Sequence, residues 1–197
     1  MMLIEETAVP ETALPIEPFK AHLRLGTGFG EDTLQDGLLA GFLRAALAAI
    51  EGRTGKVLLA RDFTWTVSSW RDRGGVVFPA APVRAVSAVV LVDAEGGESS
   101  VADWRLERDE AAPRLCPVGA LLPMVPRGGS VRIGFRAGMA EDWSGLPADL
   151  AQAVLMLAAH YYEYRAETGL SEGCMPFGVV SLIQRYRALR LSPGAGR

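Results

Sequence analysis

The pentapeptide Gly169-Leu170-Ser171-Glu172-Gly173 is the pattern in this chain closest to a catalytic signature. In the G-x-S-x-G form a serine sits on a strained turn after a buried strand, and a histidine later in the chain accepts its proton. Here a helical stretch ending in YYEYRAET comes first, and no histidine lies beyond His160. Ser171 is therefore read as part of a helix-to-helix turn. Gly26-Thr27-Gly28-Phe29-Gly30 lacks the G-x-G-x-x-G spacing and a preceding strand, and Gly52 to Lys56 lacks phosphate-loop spacing. His22 and His160 are the only imidazoles. They fall in different helices, without the carboxylate or cysteine pattern that proton transfer or metal binding requires.

The remaining candidates read more plainly as structure. Cys116 and Cys174 are too far apart in sequence for a zinc motif and too few for a disulfide scaffold, so both are taken as small buried apolar residues. Asp109-Glu110 and Glu141-Asp142 lie among Ala, Pro and Gly and are taken as solvated turns. Tyr161, Tyr162 and Tyr164 end a helix and are assigned to bridging core and surface. No catalytic residue, cofactor or metal is expected, and the chain is not expected to be an enzyme.

One segment does carry recognition chemistry. QRYRALRL, Gln184 to Leu191, interleaves arginines with an aromatic and apolar residues, the mixture that anchors protein interfaces. Arginine also suits desolvated, two-pronged contacts with carboxylates. Beyond Glu172 the chain has no acid but holds Arg185, Arg187, Arg190 and Arg197, whereas Glu5, Glu6, Glu11 and Glu17 precede the first basic residue, Lys20. The two ends thus have opposite sign. Pro176, Phe177, Ile183, Arg185, Tyr186, Arg187, Arg190 and Leu191 are the expected partner-binding residues. The stripe Val179, Leu182, Ile183, Tyr186 and Leu189 is expected to await cover from a partner, so that loss of residues 176–197 leaves a soluble subunit.

The elements that must position this segment follow from periodicity. Pro10, Pro15 and the absence of a hydrophobic period make residues 1–15 an extended arm, ordered by a neighbour. A short helix is predicted from Glu17 to near Gly26 and a long one over residues 31–52, with Leu34, Leu38, Phe42 and Ala45 on one face and Leu39, Leu43, Ala46 and Ile50 widening it, so that it touches partners on more than one side. Gly37, Gly41 and Ala45 are expected to admit a second backbone closely. The period then becomes two, as in Phe63, Trp65 and Val67, and further strands are predicted near 75–78, 86–92, 101–107 and 130–136. Helix returns after Pro147, and Pro176 opens the last helix. The fold class is therefore α+β, a helical bundle-like frame (16–58) with an inserted small antiparallel β-sheet domain (59–140), a buried helix (141–172) and a C-terminal helix and tail (173–197).

Composition bounds the function. With 49% hydrophobic residues a true core is affordable, and 20 basic against 23 acidic residues argue against a DNA-coating protein. The longest strongly apolar run, Leu150 to Ala159, is shorter than the roughly 18 residues that cross a bilayer, so no membrane partner is expected. The acidic start is the reverse of a secretory signal, and a start in the cytoplasm is expected.

The order and wording of these elements carry a resemblance. EPFKAHLRL, DTLQDGLLAGFLRAALAAIEGRTG, RDFTWTVSSW, FRAGMAEDWSGLPADLAQA and the closing SLIQRYRALRL together make residues 14–191 similar to the head-tail connector, or adaptor, family of long-tailed bacteriophages and phage-like gene transfer agents. The resemblance implies a non-enzymatic ring, usually dodecameric, in the neck of a phage-like particle, beneath the portal protein of a DNA-filled head. DNA passes through its channel without sequence-specific binding. It also implies that the C-terminal segment grips the portal and that the lower surface receives a stopper or other neck protein. Another neck component, either a stopper or a tail terminator, is the alternative. A phage-associated hydrolase and a DNA-packaging subunit are the more distant ones.

Overall fold

The computed structural model describes residues 1–25, 33–165 and 175–187. The chain is α+β, with two hydrophobic cores that meet at one junction. Ser171, Cys174, Leu189, Arg190 and Leu191, together with the 26–30 glycine turn, lie outside the described residues.

The helical core is built by α1 (Ile16–His22), α2 (Thr33–Thr54), α3 (Ala148–Glu163) and α4 (Phe177–Ile183). Pro18 sits in the first turn of α1, where its missing N–H is not needed, and Phe19 is fully buried one residue later. On α2 only the second of the two predicted faces is buried: Leu39, Leu43, Ala46, Leu47 and Ile50 enter the core. Leu38 and Ala45 are instead exposed and Phe42 is half-buried. Among the described residues no backbone crosses at Gly37 or Gly41, where an added β-carbon would meet nothing within 4 Å. Among the described residues α2 packs chiefly on α3, with α1 as a further neighbour. No described helix is long and apolar enough to cross a membrane.

The β part holds two antiparallel sheets where the sequence led to one. The larger runs β1-β2-β8-β4-β5, from β1 (Met2–Glu5), β2 (Arg61–Val67), β4 (Val83–Val92), β5 (Glu98–Ser100) and β8 (Ser130–Ala137). The smaller runs β3-β7-β6, from β3 (Val76–Val77), β6 (Trp104–Glu107) and β7 (Arg114–Pro117). Strict alternation in β2 turns Phe63, Trp65 and Val67 inward. Phe78, just after β3, closes the space between the sheets, its ring centroid 5.8 Å from Trp65 and 5.0 Å from Phe135. Of the strand predicted at 101–107 only Trp104–Glu107 forms one, while β5, just before it, and β7, flanked by Pro113 and containing Pro117, were not expected. The N-terminal segment also differs from a free arm. Met2–Glu5 pairs with β2 of its own chain, from Met2 opposite Thr66 to Glu5 opposite Phe63.

Register defines the two ends of the β part. Arg61 pairs with Ala137 beside the helical core, where Leu59 bridges Ala140. Val67 pairs with Val131 and Val92 with Ser130 at the far end, about 20 Å away by strand rise. Arginines clamp the near end. Arg61, 8% exposed, takes both carboxylate oxygens of Glu51 at 2.6 and 2.9 Å, and its Nε lies 2.8 Å from Glu5. Burial works against its charge, but Glu51 and Glu5 outweigh that and hold the pKa above its ordinary value. Arg84 donates to the carbonyls of Gly138 and Met139, each at 2.7 Å, and to Glu141. Gly138 is required here, because a β-carbon at that position would overlap the backbone of Ala60.

Candidate assembly surfaces

The C-terminal segment is built on α4, which starts immediately after Pro176 because proline cannot extend a helix backwards but is preformed for its start. Phe177, the first helical residue, is 87% exposed. Val179 and Ile183 are fully buried against the helical core, and Leu182 and Tyr186 pack on it. The expectation that this stripe awaits a partner is therefore corrected. The side chains of α3 and its neighbours already cover Ile183, so it offers no surface in this structure, and removing residues 176–197 would open the core. A helical stripe reports that a face is covered without saying which molecule covers it.

Beyond Ile183 the chain makes one turn of 3-10 helix, Gln184–Tyr186, and is tied to the first turn of α3. The Tyr186 hydroxyl donates to Asp149 Oδ1 at 2.8 Å, and Arg185 Nε lies 2.8 Å from Asp149 Oδ2. Arg185 also contacts the Tyr186 hydroxyl and lies over its ring, 4.7 Å from the centroid. Burial alone would push the Asp149 carboxyl up, but the Tyr186 hydroxyl, the Leu150 N–H and Arg185 together hold it below its ordinary value. Burial, then the bond to Asp149, raises the Tyr186 phenol. Of the predicted arginines, Arg185 is thus engaged within the subunit, and Arg187 is exposed without an ion pair among the described residues. Pro176 and Phe177 open α4, where Gly178 faces Met156 midway along α3, whereas Arg185, Tyr186 and Arg187 follow its other end, beside the first turn of α3.

The residues weighed for catalysis stay apart or serve turns. His22 is exposed at the end of α1, whereas His160 is half-buried on α3 with its ring 4.6 Å from Tyr164. Asp109 accepts from the N–H groups of Ala111 and Ala112, each at 2.7 Å, and Asp142 accepts from Ser144 and Gly145. Glu141 pairs with Arg84 and Arg136. Cys116 is buried and its thiol is pushed up, first by burial and then by Glu107 at 3.3 Å. Tyr161 and Tyr162 pack on the helical core, with Tyr162 edge-on to Phe42. The described residues hold no group of three or more side chains able to ligate a metal.

Sequence reading missed a second surface. Met2, Leu3 and Ile4 of β1 are 40–55% exposed, and Val118, Leu121 and Met124, in the loop after β7, are 55–73% exposed. That loop is held firmly: Trp70 Nε1 donates to the Pro123 carbonyl at 2.8 Å, and Arg73 and Leu122 exchange two bonds of 2.8 Å. Leu122 between them is fully buried, so the exposed side chains stand on a fixed support. Nearby, at the far end of the β part, Trp65, Ser69, Arg71, Asp72, Val77 and Arg114 border a cleft of about 850 Å³. The available signals were the apolar run MMLI and the proline-flanked GALLPMVP, neither long enough to give a period.

No family model matches the chain, and neither does any curated protein. Solved structures do match it. A chain from the neck of an empty gene transfer agent (GTA) particle, computed with C6 symmetry, is 52% identical, with 100% of both chains covered and a TM-score of 0.90. A chain from the virion of a native GTA particle is also 52% identical, with 98% of this chain and 99% of that one covered and a TM-score of 0.86. A third, from the neck of a native GTA particle computed with C12 symmetry, is 49% identical over 100% of both chains, with a TM-score of 0.85.

Proposed function

The chain belongs to the head-tail connector family of gene transfer agents, and from that premise we propose that it is the adaptor of such a particle, a ring docked beneath the portal protein through which DNA passes. The observation that carries this reading is full-length similarity, at 52% identity, to a chain of a GTA particle neck. The C12 symmetry of a second matching neck supports a twelve-copy ring. Synthesis takes place in the bacterial cytoplasm, and the ring is completed on the portal, which acts as its template.

The helical end faces the portal. Phe177 is exposed at the start of α4 and Arg187 beyond its other end, and the chain continues to Arg190, Leu191 and Arg197 without an acid. Phe177 supplies apolar area, and the arginines pair with portal carboxylates and set register. Arg185 and Tyr186 act one step back, by holding the start of this tail to Asp149 of α3. The opposite face receives a stopper or other neck protein.

The test is a chain ending at Tyr186, which retains Val179 and Ile183 in the core and lacks residues 187–197. Cells making only this form are expected to yield DNA-filled heads without tails, while the purified subunit keeps its fold by circular dichroism. Tailed particles at normal yield would overturn the reading.

A further inference from the structure

The larger sheet has two unlike edges, and their chemistry is complementary. On the β1 side, at the far end, lies the cleft bordered by Trp65, Ser69, Arg71, Asp72, Val77 and Arg114. It is short of acceptors. Trp65 Nε1 and Arg114 Nε are both buried with no hydrogen-bond partner among the described residues, Arg71 is exposed, and the one carboxylate of the border, Asp72, already accepts from Gly74 N at 2.7 Å. The border thus carries two guanidinium groups, Arg71 and Arg114, against one carboxylate that is already engaged, and an incoming carboxylate is favoured there.

On the opposite edge the β4–β5 hairpin turns through Asp93–Gly97. Its shape is fixed from within, since Asp93 Oδ1 accepts from Glu95 N at 3.0 Å and Gly97 N at 2.6 Å, and Gly96 takes a φ of 88°. Glu95 stands exposed at the tip, and its carboxylate has no partner among the described residues. Cleft and hairpin lie at the same end of the sheet, because Val67 and Val92 pair with the adjacent residues Val131 and Ser130. A closed ring repeats one contact between two different patches, placed at equal height on opposite sides of the subunit.

From this placement we infer that in the assembled ring the β4–β5 hairpin of one copy, led by Glu95, seats in the arginine-bordered cleft of the next copy. The inference rests on the ring reading and names its lateral contact. Charge pairs at such a rim choose the partner and its register, and a reversed charge places like against like.

The test uses particles assembled with the full-length chain. With Glu95→Cys and Ser69→Cys together, mild oxidation is expected to give a ladder of covalent oligomers, since a disulfide forms only where the two Cα atoms come within about 7 Å. Neither single variant, each still carrying Cys116 and Cys174, should give one. Glu95→Arg or Arg71→Glu alone is expected to lower incorporation into necks roughly tenfold, and the two together to restore it to within about twofold. A ring imaged in the doubly substituted particles without a ladder overturns the inference and leaves the ring reading standing. Absence of any ring from unsubstituted particles removes the ring reading and this contact with it.

Discussion

The helical part and the β part spend their apolar side chains differently. In the helical part the long stripes are consumed internally: Val179 and Ile183 of α4 and Leu150, Val154 and Leu157 of α3 are all at most 1% exposed. Phe177, Leu38 and Tyr164 are its exposed large apolar residues among those described. In the β part Met2, Leu3, Ile4, Val77, Val118, Leu121 and Met124 all stand in solvent at 40% or more. Concentrated exposure of this kind marks surfaces that assembly covers. The difference teaches that the helical frame is a self-sufficient fold presenting a tail, whereas the β part is a platform whose outer side is unfinished in the single subunit.

Substitutions can break or sharpen that contrast. The largest effect is expected for Ile183→Ala, which removes a fully buried side chain and should cost about 2–5 kcal/mol in chemical denaturation. A cost under 1 kcal/mol would return the stripe of α4 to the partner. Next comes Gly138→Ala, at the junction between the two parts, where the added methyl overlaps Ala60 and a loss of about 1–3 kcal/mol is expected by the same measurement.

Tyr186→Phe removes one hydrogen bond to Asp149 and should cost about 1 kcal/mol, together with faster amide exchange at 184–187. The same tie depends on pH. The Asp149 carboxyl is lowered in the folded chain, so its contribution is present above the unfolded carboxylate pKa and is lost as pH falls through the lower folded value. Protection factors at 184–187, with the intrinsic pH dependence of amide exchange divided out, should therefore be flat from neutral pH down to the usual carboxylate range and fall below it. A loss of protection near pH 6 would contradict the assignment to Asp149. Smallest of all, Leu121→Ser with Met124→Ser should change stability by less than about 0.5 kcal/mol while lowering incorporation into necks. Equal losses of stability and incorporation would make that loop part of the core.

Periodicity made much of this legible. Helix over 31–52 and after Pro147, the alternation of Phe63, Trp65 and Val67, and the return at 130–136 follow directly from which side chains must leave water together. Strands near 75–78 and 101–107 could be read, but not that they form a second sheet, because β7, which joins them, has four residues beside Pro113 and holds Pro117, too short for any period. Nor was β1 legible, since a strand whose side chains all stay exposed has no alternation to read. Of the candidate site, the arginine-rich tail could be read as chemistry. The direction of Ile183 could not, because burial by α3 and burial by a partner leave the same stripe in the sequence. The cleft and the Glu95 hairpin were invisible for a different reason: their complementarity exists only once β1 and β5 are known to be opposite edges of one sheet.

The central claim, that this chain forms the ring next to the portal, is tested most directly by a single-particle reconstruction of necks from particles that contain it. The account predicts twelve copies in direct contact with the portal, with the helical end and residues beyond Tyr186 against it and the β parts meeting side by side. A reconstruction that separates this chain from the portal by another ring, with its C-terminal end turned toward the tail, would contradict it.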